Sequence, residues 1–236
     1  MGTNDLIDTT EMYLKAIYEM EEDGVTPLRA RIVERLGHSG PTVSQTIARM
    51  ERDHLVMVRS DRRLDLMSEG RRRVVDVMRK HRLAELLLLH VVGLPRRSIH
   101  EEACRWEHVM SVAVEERLQQ ILGWPQTDPF GNPIPGLGTR NPHETSIETL
   151  VRDDREYFGE LLRIGEPIQA DQEMLDAFET ADLLPGIRVC ARKVGDQFQI
   201  CVAPLNEAPL NDGEEVGKVC VVLDSAYASH LFVISE

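Results

Sequence analysis

Between positions 81 and 108 the chain carries six side chains of the kinds that bind first-row transition metals: His81, Glu85, His100, Cys104, Glu107 and His108. Imidazole, carboxylate and thiolate together form a borderline donor set. In the run His100-Glu-Glu-Ala-Cys104-Arg-Trp-Glu107-His108 the four donors stand at i, i+4, i+7 and i+8. On one helix they would span about 100° of the circumference, a single face. His81 and Glu85, at i and i+4, would reach the same ion from a second helix. Each pair alone has a plain structural reading: an ion pair for His81 and Glu85, a small buried hydrophobe for Cys104. Six donors in so short a stretch favour a metal. A hydrolytic site is not indicated, because HEEAC is not HExxH and no separate general base accompanies it.

A second group of side chains has the chemistry of DNA recognition. Thr42, Gln45, Arg49 and Arg52 lie at i, i+3, i+7 and i+10. They share one helical face, while Val43, Ile47 and Met50 share another. Glutamine can bond adenine edges in the major groove, and arginine and threonine can hold phosphates. Arg59, Arg62 and Arg63 sit together a few residues on, where a hairpin tip would touch the backbone.

The elements that must position these groups follow from periodicity and punctuation. Asp8-Thr-Thr-Glu11 reads as a capping box opening a helix to about Glu22. Thr26-Pro27 opens a second helix, with Pro27 at its first position and Gly37 as its stop. The three-residue link His38-Ser39-Gly40 leads to a third, from about Pro41 to Asp53. Two helices on so short a glycine-containing link fit a helix-turn-helix. Alternation over Leu55–Met67 about Ser60-Asp61 predicts a hairpin. Long helices are expected over Glu69–Val92 and Ile99–Leu122. Residues 125–142 hold five of the twelve prolines and read as a stiff linker or wrap. Helix is then expected over Ile147–Leu162, and strands over Ile187–Lys193, Phe198–Val202, Val216–Val222 and His230–Ile234, spaced as in a small β-barrel.

Charge is segregated along these elements. The 236 residues carry a net charge of −13, which taken whole argues against a nucleic-acid partner. Residues 25–73, however, carry eleven bases and six acids, against one base and seven acids in residues 1–24. The acids thus lie mainly outside the presumptive reading unit. No basic start followed by an apolar run marks a signal peptide. The most apolar stretch, Leu86–Leu94, is too short to span a bilayer and is interrupted by His90. Cys104, Cys190, Cys201 and Cys220 form no CxxC pair, which suits a reducing cytosol, and the last three are read as strand or barrel fillers.

The runs DTTEMYLKAIYEMEEDGVTPLRARI, SGPTVSQTIARMERD, MRKHRLAE, HEEACRWEHVMS and PFGNPIPGL resemble, in one order, the iron-dependent regulators of the diphtheria toxin repressor family. The resemblance is dense over residues 4–138 and thin beyond. It implies a mainly helical protein with a β component. A winged helix-turn-helix would occupy residues 1–73, a helical metal-binding and dimerisation domain 74–140, and an SH3-like domain 141–236. It implies a primary, activating metal site of Met12, Cys104, Glu107 and His108, and an ancillary site of His81, Glu85 and His100. Met12 retains a rival reading as a core filler of the first helix.

In the family a Glu and a Gln from the third domain complete the ancillary site. Gln169-Ala-Asp171-Gln172 looks like that segment, with Gln172 the expected Gln and Gln169 in place of the Glu. The missing carboxylate should weaken the site, and Asp171 is a candidate to replace it. Beside this site the family holds an anion on an Arg, a Ser and an Asn. Arg82 and Asn132 match, whereas Asp128 replaces the Ser, to pair with Arg82 or to serve as the anion itself. On the DNA side the resemblance assigns Ser39, Pro41 and Gln45 to bases and Thr9, Arg29, Thr42, Arg49, Arg52 and Arg62 to phosphates.

Together these imply a cytoplasmic, Fe(II)-activated repressor of iron-uptake genes, with Co(II), Ni(II), Zn(II) or Mn(II) as surrogates. A homodimer, or two dimers, would bind a palindromic operator. The soft donors Met12 and Cys104 favour Fe(II) over a manganese-responsive relative. The family also implies that N-terminal residues, here including Leu6, rearrange on activation. The proline-rich stretch is a candidate ligand for the third domain.

Overall fold

The computed structural model describes residues 9–153, 155–203 and 219–235; Leu6 and the expected cap Asp8 lie outside them. The first helices follow the sequence closely: α1 (Thr9–Glu22), α2 (Arg29–Leu36) and α3 (Gly40–Arg52), then a hairpin of β1 (Val56–Val58) and β2 (Leu64–Leu66). Gly37 ends α2 in the left-handed conformation, and the Ser39 hydroxyl caps α3 by accepting from Thr42 N. The start of α2 departs from expectation. Pro27 is not its first residue, because the Pro27 carbonyl accepts from Leu64 N at 3.0 Å and Leu28 bridges to Arg63. The hairpin therefore ties down the residues leading into the helix, which begins at Arg29.

Tyr13, Leu14 and Ile17 of α1, Ile32 of α2, and Val43, Ile47 and Met50 of α3 close one core over Leu55, Val56 and Leu64. Burial of each large side chain is worth about 1.5–3 kcal/mol, so this core fixes the exposed face of α3 relative to the hairpin.

The long α4 (Ser68–Leu87) continues into a π-helical turn, Leu88–Val92, and stops at Gly93, whose φ is 80°. The second long helix expected over Ile99–Leu122 is instead two: α5 (Arg96–Trp106) and α6 (Val112–Ile121). The break lies at 107–111, where Ser111 turns its hydroxyl to Val114 N and caps a new helix. Glu107 and His108 therefore sit on a turn, not on the helical face with His100 and Cys104.

Residues 125–142 are not helical, and they wrap onto the C-terminal domain: Phe130 O accepts from Ile164 N at 2.8 Å. Gly131 makes this approach possible. Its φ is +84°, and a Cβ there would lie 2.0 Å from Leu162 O.

The C-terminal domain is a six-stranded sheet with all its pairings antiparallel, ordered β3-β8-β4-β5-β6-β7. The strands are β3 (Thr145–Ser146), β4 (Tyr157–Ile164), β5 (Arg188–Val194), β6 (Gln197–Val202), β7 (Cys220–Leu223) and β8 (Leu231–Ser235). Positions 216–218 of the strand expected over Val216–Val222 lie outside the described residues. Among the described residues no pairing joins β3 to β7, so the sheet does not close into a ring. Four short helices decorate it: α7 (Ile147–Leu150), α8 (Glu166–Gln169), α9 (Gln172–Thr180) and α10 (Ser225–Ala228).

The helix expected over Ile147–Leu162 is corrected to α7 followed by β4. The run Phe158–Ile164 is short and apolar enough to satisfy either period; pairing with β5 on one side and β8 on the other decides it. The cysteine reading also changes. Cys201 and Cys220 are direct partners across β6 and β7, with Cα atoms 4.4 Å apart, and form a disulfide. Cysteine usage therefore gives no argument for a reducing compartment. Cys104 and Cys190 are outside any disulfide.

Candidate metal centre

His81 and Glu85 project from α4, His100 and Cys104 from α5, and Glu107 and His108 from the turn that follows. His81, His100 and Cys104 offer donor atoms all within 4.8 Å of one another. His81 lies between two carboxylates, Nδ1 2.6 Å from Glu107 Oε2 and Nε2 2.9 Å from Glu85 Oε1. His100 Nδ1 is 3.3 Å from Glu85 Oε1, and its Nε2 faces Cys104 Sγ at 3.7 Å. His108 Nε2 is 3.2 Å from Glu107 Oε1, while its Nδ1 meets Glu11 of α1 at 2.6 Å. All six donors found in the sequence are thus in one connected cluster. Met12, half-buried on α1, lies one turn before Lys15, which enters the cluster.

The C-terminal domain contributes through α8, three residues out of the register expected from the sequence. Glu166 Oε2 is 3.5 Å from His100 Nδ1 and 3.6 Å from His81 Nε2, and Oε1 is 3.7 Å from Arg82. Gln169 is buried beside it, its amide nitrogen donating to Ile164 O at 2.7 Å. Gln172 instead donates to Glu101 at the surface, 3.3 Å away. Asp171 caps α9 through Met174 N and accepts from the Tyr227 hydroxyl at 2.6 Å, so it is not the compensating charge. Glu166 and Gln169 have the same i, i+3 spacing as Gln169 and Gln172. A frame that demanded a carboxylate would have selected them, and the expected loss of charge disappears.

Asp128 answers the second question left by the sequence. It is buried, receives the backbone N–H groups of Phe130 and Asn132 and the Asn132 side chain, and lies 3.5 Å from Arg82 Nε. Arg82 itself donates to both oxygens of the Glu22 carboxylate and to Pro133 O at 2.6 Å, so Asp128 is a further acidic neighbour and not its main partner. Burial, with Glu85 adding to it, raises the Asp128 carboxyl to about 7.

Two residues missed in the sequence belong here besides Glu166. Lys15 of α1 is buried, its ammonium donating to Glu107 Oε2 at 2.9 Å and Cys104 Sγ at 3.5 Å. Glu11 holds His108. Lysine at an internal helical position carries no local sign of burial, which is why the sequence did not reveal it.

Charge coupling sets the protonation of the cluster. Burial would raise the Cys104 thiol, yet the Lys15, His100 and His81 charges bring it down to about 5. Burial opposes protonation of His100, but the Cys104 thiolate and Glu85 raise it to about 10. His108 is likewise raised to about 9, against burial, by Glu107 and Glu11. Burial disfavours the Glu166 carboxylate, but Lys15, His81 and His100 hold it well below the usual range.

Whether these residues fit a metal can be judged from atoms left without partners. Glu85 Oε2, both Glu166 oxygens and Gln169 Oε1 are buried and accept no hydrogen bond. Buried acceptors without hydrogen bonds are costly, and four of them on residues of a cluster that holds His81 and His100 suit a divalent cation. Residues 5–64 match the family described as "Iron dependent repressor, N-terminal DNA binding domain" and residues 67–136 "Iron dependent repressor, metal binding and dimerisation domain". The chain belongs to the iron-dependent repressor family.

The chain is 52% identical over 194 residues to the iron-dependent repressor IdeR of Mycobacterium tuberculosis, covering 79% of this chain and 84% of that protein. It is also 52% identical over 191 residues to the diphtheria toxin repressor of Corynebacterium diphtheriae, covering 78% of this chain and 84% of that one. A manganese-dependent transcriptional repressor solved with manganese superposes with a TM-score of 0.76 at 26% identity, over 97% of this chain and all of that one. The protein is thus an iron-dependent, DNA-binding transcriptional repressor with a metal-binding and dimerisation domain, and not an enzyme.

The repressor's DNA-reading candidates occupy one region of the first domain. Ser39, Pro41, Thr42, Gln45, Arg49 and Arg52 are exposed at the start or along the outer face of α3, and Thr9 is exposed at the start of α1. Arg29 is half-buried, with Nε unpartnered. Ser39 already caps α3, so its hydroxyl has a structural use as well. At the hairpin tip Arg59 and Arg63 pair with Asp65. Exposed Arg62 has a φ of 71° and no such pair among the described residues. No described helix is long and apolar enough to cross a membrane.

Proposed function

We propose that Fe(II) activates this repressor by joining α1 to the 107–108 turn and to α8. The primary site would be Met12, Cys104, Glu107 and His108. The ancillary site would be His81, Glu85, His100, Glu166 and Gln169, with Arg82 and Asp128 behind it. The single observation carrying this reading is the buried cluster drawn from all three regions of the chain, with buried acceptors among its members that take no hydrogen bond.

The metal supplies a divalent charge that these donors share. The chain supplies the rest: Cys104, already a thiolate near neutral pH, and Glu107 present negative charge, and α1 carries Met12 beside the DNA-reading unit. Fixing α1 against α4 and α5 shifts the population toward the form that presents two recognition helices. Exposed Val91, Val92, Val109, Val112 and Val114 support a homodimer through the second domain. Such a dimer, or two, would bind a palindromic operator controlling iron-uptake genes in the cytoplasm.

Cys104 is the observation favouring Fe(II), with Co(II), Ni(II) and Zn(II) as surrogates, over Mn(II). The test is a footprint on genomic DNA with Fe(II), Mn(II), Zn(II) or no metal, on the wild type and on Cys104→Ala and His108→Ala. Fe(II)-dependent protection is expected for the wild type alone. Protection retained by both variants would remove the primary site as assigned.

A further inference from the structure

Lysine is among the residues least often buried, and a buried ammonium must be paired. Lys15 is 8% exposed. Its Nζ lies 2.9 Å from Glu107 Oε2, 3.1 Å from His81 Nδ1, 3.5 Å from Cys104 Sγ and 3.8 Å from Glu166 Oε2. These four groups come from α4, α5 and its following turn, and α8, and every one is a metal donor in the reading above. The ammonium stands where their lone pairs converge. A metal bonded to Cys104 and Glu107 at about 2.0–2.3 Å needs the same space.

The pairing around α1 shows where the ammonium can go. Glu11 and Lys15 stand at i and i+4, glutamate first, the favourable order for a helical ion pair. They do not pair with each other in this structure's contacts: Glu11 holds His108 at 2.6 Å and Lys15 holds Glu107 at 2.9 Å. Glu107 and His108 are adjacent ligands. When both turn to an ion, Glu11 loses His108 and Lys15 loses Glu107; Lys15 keeps Glu19 only at 4.0 Å, where Arg35 already binds that carboxylate, and Glu11 becomes available to it.

We infer that Lys15 is an internal cation that occupies the metal cluster in the metal-free repressor and is expelled by the ion to Glu11. This rests on the metal assignment proposed above. Lys15 then stabilises the metal-free junction and raises the metal concentration needed for activation, so it sets the threshold of the sensor.

The test compares Co(II) affinity of the full chain, read from thiolate-to-cobalt and d–d absorption, with the melting temperature of the metal-free protein. Lys15→Met and Lys15→Gln are expected to bind Co(II) about tenfold more tightly or better, the scale on which charges around a site change affinity. Their metal-free melting temperature should fall, and their gain on adding Co(II) should grow. Lys15→Arg, which keeps the charge, should stay near wild type. Unchanged or weaker Co(II) binding in both neutral variants overturns the inference, as does a Lys15→Arg that behaves like them. A neutral variant that folds only with Co(II) supports it, and one that fails to fold even then counts against it. If wild type shows no thiolate-to-cobalt band, the metal assignment itself fails, which is a separate result.

Discussion

Glu166→Gln removes one charge from the centre of the cluster at nearly constant volume. The carboxylate lies 3.5–3.8 Å from His100, His81, Arg82 and Lys15. With an effective dielectric constant of about 20, a unit charge at about 3.6 Å is worth about 4.6 kcal/mol. That is an upper limit, because the Lys15 ammonium and the imidazolium protons of His81 and His100, which leave when a divalent ion binds, offset part of the charge facing Glu166. Loss of the carboxylate therefore costs up to about 4.6 kcal/mol of metal affinity, about three powers of ten. Loss of a supporting partner at a metal site sets the lower end, about tenfold. Anaerobic calorimetric titration of the full chain with Co(II) should show an ancillary site weakened within those limits. Gln172→Ala, measured in parallel, should bind as wild type, because Gln172 only donates to surface Glu101. Normal binding by Glu166→Gln together with weakened binding by Gln172→Ala would show that α8 does not face the ion.

Three further outcomes are expected. At pH 7 His100 and His108, raised to about 10 and about 9, are protonated without metal, whereas Cys104, lowered to about 5, is already a thiolate. His81, held between Glu107 and Glu85, is likewise raised well above the ordinary imidazole range. All three imidazoles must deprotonate to ligate, so Co(II) binding should release about three protons and tighten as pH rises toward 9; calorimetry in buffers of different ionisation enthalpy counts them, and zero protons would contradict the cluster's charge state. Arg62→Ala should weaken operator binding across sequences and lower the salt slope by about one unit, an unchanged slope removing this phosphate contact. Asp23, at the end of α1, accepts from Arg163 at 2.6 Å and His230 at 2.5 Å, fastening the C-terminal domain to the first helix. Asp23→Ala removes one of the two carboxylates on buried Arg163, which keeps Glu144 at 2.8 Å, and should cost about 1–3 kcal/mol in denaturant unfolding, whereas an unshifted midpoint would deny the fastening.

Most of the DNA-binding unit was legible because its elements are local. Helix periods and the Gly37 stop lie within a few residues of what they organise. The errors fell where one sequence supports two local answers. Residues 158–164 satisfy both periods, and only their two flanking strands make them β4. Residues 99–122 read as one helix until Ser111 starts another, which moves Glu107 and His108 off the face of Cys104. Cys201 and Cys220 are separated by 19 positions in the chain, and strand register alone makes them a disulfide.

By itself the sequence determined the donor types, their crowding into residues 81–108, the basic reading unit and the order of the regions. Those depend on composition and short-range spacing. Tertiary structure decided which atoms share a site. Glu166, not Gln172, reaches His81 and His100 because β4 delivers α8 to α4. Lys15 enters because α1 packs beside α4 and α5, and Asp128 comes to lie beside Arg82 because the 125–142 wrap folds back on β4. Each of these is a contact between residues far apart in the chain, set by packing and by the cost of leaving buried charge unpaired.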